Sequence, residues 1–151
     1  MPDTFNAAEI ILARAGRLRE KTALIHSNRI MSYGELSVLV NRAANAFARL
    51  GIKRGGRVGL MMMDSPLYCA AFLSLVKSGA VAIPLNPRLP AGDYSFILGN
   101  AGMQLVLCDA EHAGMLAQAA SGSGTRMLAT SGMGESFEQL VAACASEFTA
   151  A

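Results

Sequence analysis

The chain has 151 residues, 52% hydrophobic and 16% charged, which suits one packed core and excludes a disordered or fibrous polypeptide. Thirteen basic and eleven acidic residues leave a formal net charge of +2 with no block of like charge, so nothing electrostatic points to nucleic acid. Cys69, Cys108 and Cys144 are odd in number and far apart, and His26 and His112 each lack a second ligand-type neighbour, which argues for reduced cysteines and against a disulfide framework or a zinc-type metal site.

The start, Met1 to Ile10, carries Asp3 and Glu9 and no basic stretch before an apolar run, so it does not read as a signal peptide. Asn6-x-x-Glu9 has the form of a capping box, with Phe5 and Ile10 as its hydrophobic staple, and the helix that follows should bury Ala8, Ile11, Leu12 and Ala15. Thr22 to His26 and Arg29 to Ser32 flank Ser27-Asn28 and read as a β-hairpin, with His26 facing solvent at a strand end. Ser32-x-x-Glu35 is a second capping box with Met31 and Leu36 as staple. Leu36, Leu39, Val40, Ala43, Phe47 and Leu50 then keep a helical period as far as Gly51, a left-handed stop.

Arg57 to Met63 is an apolar run suited to a strand covered on both faces, in which Met61, Met62 and Met63 are core filler rather than a soft-metal surface. Ser65 and Pro66 open a helix that runs to Ser78 and stops at Gly79, and Ala80 to Leu85 is the next strand. Pro66 to Leu85 carries a single charge, Lys77, and could pass for a membrane span. Lys77-Ser78-Gly79 breaks it into helix and strand, so a cytoplasmic protein is expected. Pro90 opens a helix to about Asn100, Gln104 to Cys108 is a strand, Glu111 to Ala120 a helix and Arg126 to Ala129 a strand. Glu135 to Glu147 reads as an amphipathic helix with Phe137, Leu140, Val141 and Cys144 on one face.

After the hairpin, strands and helices alternate with short links. Right-handed crossovers then build an α/β fold, a mostly parallel sheet flanked by helices, as one domain over residues 1–151. Gly122-Ser123-Gly124 lacks the third glycine of a dinucleotide fingerprint, because position 127 is Met127; Gly132-Met133-Gly134 fails likewise at Phe137. Neither loop runs into Lys-Ser or Lys-Thr, so both read as surface loops. No nucleophile–base constellation or carboxylate pair composes an active site. Arg88, in Asn86-Pro87-Arg88-Leu89 directly after a strand, stands where ligands bind in open α/β sheets, and its guanidinium could fork onto a phosphate. The plain alternative is a solvated arginine ahead of the Pro90 helix.

Five blocks carry a family likeness: Lys21 to Ile25, Ser32 to Leu36, Arg57 to Leu60, Phe72-Leu73 with Gly79 to Val81, and Pro84 to Leu89. In this order they resemble the opening of adenylate-forming enzymes, a superfamily holding acyl- and aryl-CoA ligases, luciferases and peptide-synthetase adenylation domains. The likeness spans about Phe5 to Asp109 and then fades. Phe5-Asn6, Met63-Asp64-Ser65 and Asn86 to Leu89 most resemble bacterial benzoate and halobenzoate CoA ligases.

The resemblance implies an AMP-forming acid–CoA ligase. ATP and a carboxylate give an acyl-adenylate and pyrophosphate with Mg²⁺ assisting, and the thiol of CoA then displaces AMP. The family's Ser/Thr/Gly-rich phosphate loop, its acidic nucleotide motif and its C-terminal lysine are not in these 151 residues. The resemblance therefore implies an N-terminal ligase subdomain, inactive alone, with no catalytic or metal residue to assign and no cofactor bound. By the same likeness Arg88 matches an arginine that contacts the phosphorylated ribose of CoA. The implied partners are the remainder of the ligase polypeptide and a small-molecule carboxylate, with no nucleic acid and no membrane span. Apolar area left bare by missing polypeptide would favour self-association, so a homo-oligomer is compatible with the sequence. The alternatives are a stand-alone binding or interaction module on the same fold, marked by polar surface on every face, and a flavodoxin-like mononucleotide binder, favoured by the alternating pattern alone.

Overall fold

The computed structural model describes residues 6–132 and 134–148, apart from the side chains of Arg14 and Ala15. Among them, the elements in chain order are α1 (Ala7–Arg17), β1 (Thr22–His26), β2 (Arg29–Ser32), α2 (Tyr33–Arg49), β3 (Arg57–Met61), α3 (Pro66–Lys77), β4 (Val81–Pro84), α4 (Ala91–Ala101), β5 (Leu105–Cys108), α5 (Ala110–Ala119), β6 (Arg126–Ala129) and α6 (Phe137–Ala142). Strands β1 and β2 form an antiparallel hairpin, and the other four form a parallel sheet in the order β4-β3-β5-β6. The expected α/β architecture with a mostly parallel sheet is the observed one.

Strand β3 lies between β4 and β5, so it must be covered on both faces, and its alternating side chains divide the core in two. Val58 and Leu60, with Leu105 and Leu107 of β5, pack under α2, α3 and α6. Met61, with Val106 and Cys108, packs under α4 and α5. Gly59 faces the second layer because a Cβ there would come within 2.9 Å of Met103 Sδ and Val106 Cγ2 and 3.1 Å of Leu85 Cδ1. On the first layer Phe47 and Phe137 meet at a centroid distance of 4.8 Å.

Helix α2 is capped at both ends. Ser32 Oγ accepts from Glu35 N at 3.2 Å and Glu35 Oε2 accepts from Ser32 N at 2.7 Å, the reciprocal capping box. That backbone bond from Ser32, followed by the Ser32 hydroxyl and the nearby Arg29 charge, lowers the Glu35 carboxyl below its ordinary pKa. Met31 and Leu36 are buried as its staple, and Gly51 takes the left-handed stop with φ 79°. Helix α3 is capped by Ser65 Oγ with Pro66 at its first position, and Gly79 ends it at φ 70°.

Four expectations need correction. The Asn6 side chain accepts from Ala8 N at 3.0 Å, Glu9 N donates to the Asn6 backbone carbonyl at 3.1 Å rather than to its side chain, and the Asn6 amide donates to the carbonyls of Val76 and Lys77 at the end of α3. Asn6 thus anchors α1 to α3 instead of forming a box; Phe5 and the Ala15 side chain lie outside what is described. Ile11 is 43% exposed, because the buried stripe of α1 runs through Ala8 and Leu12. Strand β3 ends at Met61, leaving Met63 69% exposed beyond it, so only Met61 is fully core. The last helix is α6, Phe137–Ala142, not a helix to Glu147. Beyond it Asn41 donates to the Ser146 carbonyl at 2.8 Å, and Asn45 donates to those of Ala145 and Glu147 at 2.9 and 2.8 Å. These amides hold the segment against α2, and the Phe148 ring lies 5.7 Å from Lys77 Nζ. The strand expected at Ala80 to Leu85 is Val81–Pro84, within the usual fraying of element ends.

Candidate functional site

Connections from β3 and from β5 leave in opposite directions. Helix α3 returns the chain to β4 on one face, while α5 carries it to β6 on the other. The carboxyl ends of β3 and β5 are therefore the topological switch point, where open α/β sheets take ligands. The crevice is bridged by Asp109, the residue that follows β5. Its Oδ2 accepts from Met63 N at 2.7 Å and its Oδ1 accepts from Thr130 Oγ1 at 2.6 Å. Asp109 N in turn donates to the Met61 carbonyl, and Thr130 N donates to that of Cys108. One carboxylate thus ties together the ends of β3, β5 and β6.

Arg88 lies one strand over, after β4, on a loop built from its own residues. Asn86 Oδ1 accepts from Arg88 N at 3.0 Å, an Asx turn of the kind that Asn-Pro favours. Tyr94 of α4, fully buried, donates from its hydroxyl to the Asn86 carbonyl at 2.8 Å and accepts from Leu89 N at 3.1 Å. The loop is pinned at both ends, and the Arg88 side chain stands in solvent with no carboxylate partner among the described residues. A fixed backbone and a free guanidinium suit bidentate recognition of a phosphate.

The other candidates separate. His26 is exposed at the hairpin turn, and His112 meets only Glu111 of its own helix at 3.5 Å. All three cysteines are free thiols. Burial, with the neighbouring Asp109 charge, pushes the Cys108 thiol up to about 11, and burial raises Cys69 as well, so neither is a thiolate nucleophile near neutral pH. Among the described residues no group of three or more His, Cys, Asp or Glu side chains could hold a metal ion. No helix there is long and apolar enough to cross a membrane. Pro66 to Leu85 is helix α3 and strand β4, as the sequence indicated.

Two of these features were not legible. Neither Tyr94 nor Asp109 is singled out by the sequence reading. For Asp109 the available signal was its place, since a polar residue directly after a buried parallel strand stands at the switch-point crevice, whereas Tyr94 lies within α4 and carried no such signal.

The sequence pattern of the AMP-binding enzyme family matches residues 12–148. The chain belongs to that family. The match continues well past Asp109, where the likeness read from single blocks faded. Among the similar AMP-binding enzymes is the 3-hydroxybenzoate–CoA ligase of Aromatoleum sp. (strain CIB), 38% identical over 110 residues, covering 72% of this chain and 21% of the ligase. The long-chain-fatty-acid–CoA ligase FadD13 of Mycobacterium tuberculosis is 42% identical over 83 residues, covering 55% of this chain and 16% of the ligase. The solved benzoate CoA ligase of Burkholderia xenovorans LB400 superposes with a TM-score of 0.86 at 27% identity, covering 94% of this chain and 29% of that one. This AMP-binding enzyme chain thus spans between a sixth and a third of the length of these relatives.

Proposed function

We propose that this chain is the N-terminal portion of an AMP-forming acid–CoA ligase for an aromatic acid of the benzoate class, and that it does not turn over alone. The complete enzyme would take ATP, Mg²⁺ and CoA and convert the acid, through its adenylate, to acyl-CoA, AMP and pyrophosphate. Likeness to the 3-hydroxybenzoate ligase over 72% of the chain supports the aromatic choice, although the shorter match to a long-chain ligase shows that this segment alone does not fix the acid. The three free thiols fit a reducing compartment, and we place the protein in the cytoplasm.

The observation that carries the reading is Arg88 on its pinned loop at the carboxyl edge of the sheet. Its role is binding: two N–H groups of the guanidinium clasp the phosphate on the ribose of CoA, while Tyr94 and Asn86 hold the loop so that little freedom is lost on contact. Nothing in that contact changes during either chemical step, so it should act on CoA affinity alone.

The test uses the ligase-length polypeptide that contains this chain. Arg88→Ala should raise KM for CoA by about tenfold, the loss expected for one charge-assisted phosphate contact, with adenylate formation unchanged. Dephospho-CoA, which lacks that phosphate, should show no difference between the two proteins. Equal damage to both half-reactions, or an equal penalty with dephospho-CoA, would remove the assignment.

A further inference from the structure

The segments that close the amino edge of the parallel sheet, opposite Arg88, share a charge pattern. They are residues 48–57, 77–81, 99–104 and 119–126, where α2 to α5 end and β3 to β6 begin. Together they hold Arg49, Lys53, Arg54, Arg57, Lys77 and Arg126 and not one Asp or Glu. Acids gather at the other edge, with Asp64 after β3, Asp93 and Glu111 in the first turns of α4 and α5, and Asp109 after β5. The cations come from four separate stretches of chain, so the pattern forms only when the sheet is assembled.

Lys77 is committed elsewhere: its Nζ donates to Asn41 Oδ1 at 2.7 Å, with the Glu9 charge nearby. The other five are exposed, and none lies within ion-pair distance of a carboxylate among the described residues. Arg57 donates to the Ala101 carbonyl at 2.7 Å and Arg126 donates to that of Leu50. Each is thereby fixed at a helix end with further N–H groups to spare. Attraction to helix C-termini accounts for those two and for Arg49 in the last turn of α2, but not for Lys53 and Arg54 in the loop beyond it. Bare backbone separates the cations. Gly51, Gly79 and Gly102 end α2, α3 and α4, Gly55, Gly122 and Gly124 lie in the connecting turns, and all six are exposed.

Such a surface selects its partner by shape as well as charge. It extends across four strands, roughly 14 Å at the usual strand spacing, and over helix ends on both faces of the sheet. The charge therefore forms a plane and not a stripe or a groove, and a plane of phosphates matches it. Single-stranded nucleic acid would find no aromatic platform for its bases, because these four segments hold no Phe, Tyr or Trp.

We propose that the amino edge of the sheet docks on an anionic phospholipid surface through Arg49, Lys53, Arg54, Arg57 and Arg126, held by charge and without insertion. Docked in this way, the chain turns its carboxyl edge, with Arg88, towards water, where a phosphorylated ligand arrives. The proposal goes beyond the ligase reading and does not depend on it.

The test is co-sedimentation of the 151-residue chain with vesicles of equal parts phosphatidylserine and phosphatidylcholine. Each basic side chain near such a surface strengthens partition about fivefold, so the chain should bind these vesicles at least about tenfold more strongly than phosphatidylcholine alone. Screening should abolish the difference between about 0.05 and 0.5 M salt, an arm that needs no substitution. The triple variant Arg49→Gln, Lys53→Gln, Arg54→Gln should lose roughly a hundredfold. Arg17→Gln, Lys21→Gln, Arg29→Gln removes the same charge from the end of α1 and the hairpin, at the other end of α2, and should bind like the unaltered chain. Equal partition on both kinds of vesicle would overturn the proposal, and so would equal losses in the two variants, which would reduce the effect to net charge. Poly-L-glutamate that holds the chain at a salt concentration where the vesicles release it would assign the edge to an acidic protein and likewise overturn it. Turnover does not enter the readout, so failure here and failure of the ligase reading are seen separately.

Discussion

The four-stranded sheet and the hairpin both carry runs of apolar residues, yet those of β5 and those of the hairpin end in opposite states. Every residue of β5, Leu105 to Cys108, is buried between two helical layers, whereas β1 and β2 leave Ile25 and Ile30 in solvent. The difference is one of closure. Crossovers from β3, β4 and β5 each bring a helix back onto the sheet, while the short link from β1 to β2 brings nothing to cover the outer face of the hairpin. Among the described residues the sheet carries helices on both faces, while the hairpin leaves Ile25 and Ile30 turned outward.

If that contrast is right, Leu107→Ala should be the most damaging of the changes considered. It would open a cavity between β5 and the first helical layer and cost about 2–5 kcal/mol by urea titration. Gly59→Ala should follow, at about 1–3 kcal/mol, because the added methyl meets Met103, Val106 and Leu85 in a filled layer. Ser32→Ala removes the N-cap of α2, where hairpin and helix join, and should cost about 1 kcal/mol.

The capping box also carries a pH signature. The Glu35 carboxyl has a lowered pKa in the folded state, so it is the unfolded chain that takes up the proton first as acid is added. Its stabilisation is therefore fully present above the ordinary glutamate range and fades as pH falls through and below it. Glu35→Gln should flatten that part of the acid limb in a pH series of melting temperatures. Smallest of all, Ile25→Thr should stay within about 0.5 kcal/mol in this chain, because the side chain touches little that folding buries. A cost like that of Leu107→Ala would mean that the hairpin is already packed, and the contrast would fail.

Local chemistry made much of this readable in advance. Helix α2 announced itself at both ends, by Ser32 with Glu35 and by Gly51, and between them by period, so no distant residue was needed to place it. Strands β3 to β6 followed from short apolar runs separated by helix signals, and short links left only parallel pairing. Contacts that reach across the chain were not readable. Phe137, Leu140, Val141 and Cys144 keep a helical period that argues for a longer α6, but Asn41 and Asn45, about a hundred residues earlier, capture the carbonyls of Ala145 to Glu147. Arg88 was singled out from its place after a strand, and the structure has it exposed on the loop that follows β4. Tyr94, which pins its loop, and Asp109, which bridges three strand ends, are polar atoms on otherwise apolar patterns, and their partners appear only once the sheet is assembled.

The central claim is that this chain supplies one part of a ligase and needs further polypeptide for turnover. Pyrophosphate release from ATP with 3-hydroxybenzoate, measured for the 151-residue chain and for the ligase-length polypeptide side by side, tests it most directly. The account expects release, and acyl-CoA once CoA is added, from the long polypeptide and nothing above background from the short one. Turnover by the 151-residue chain alone would contradict it.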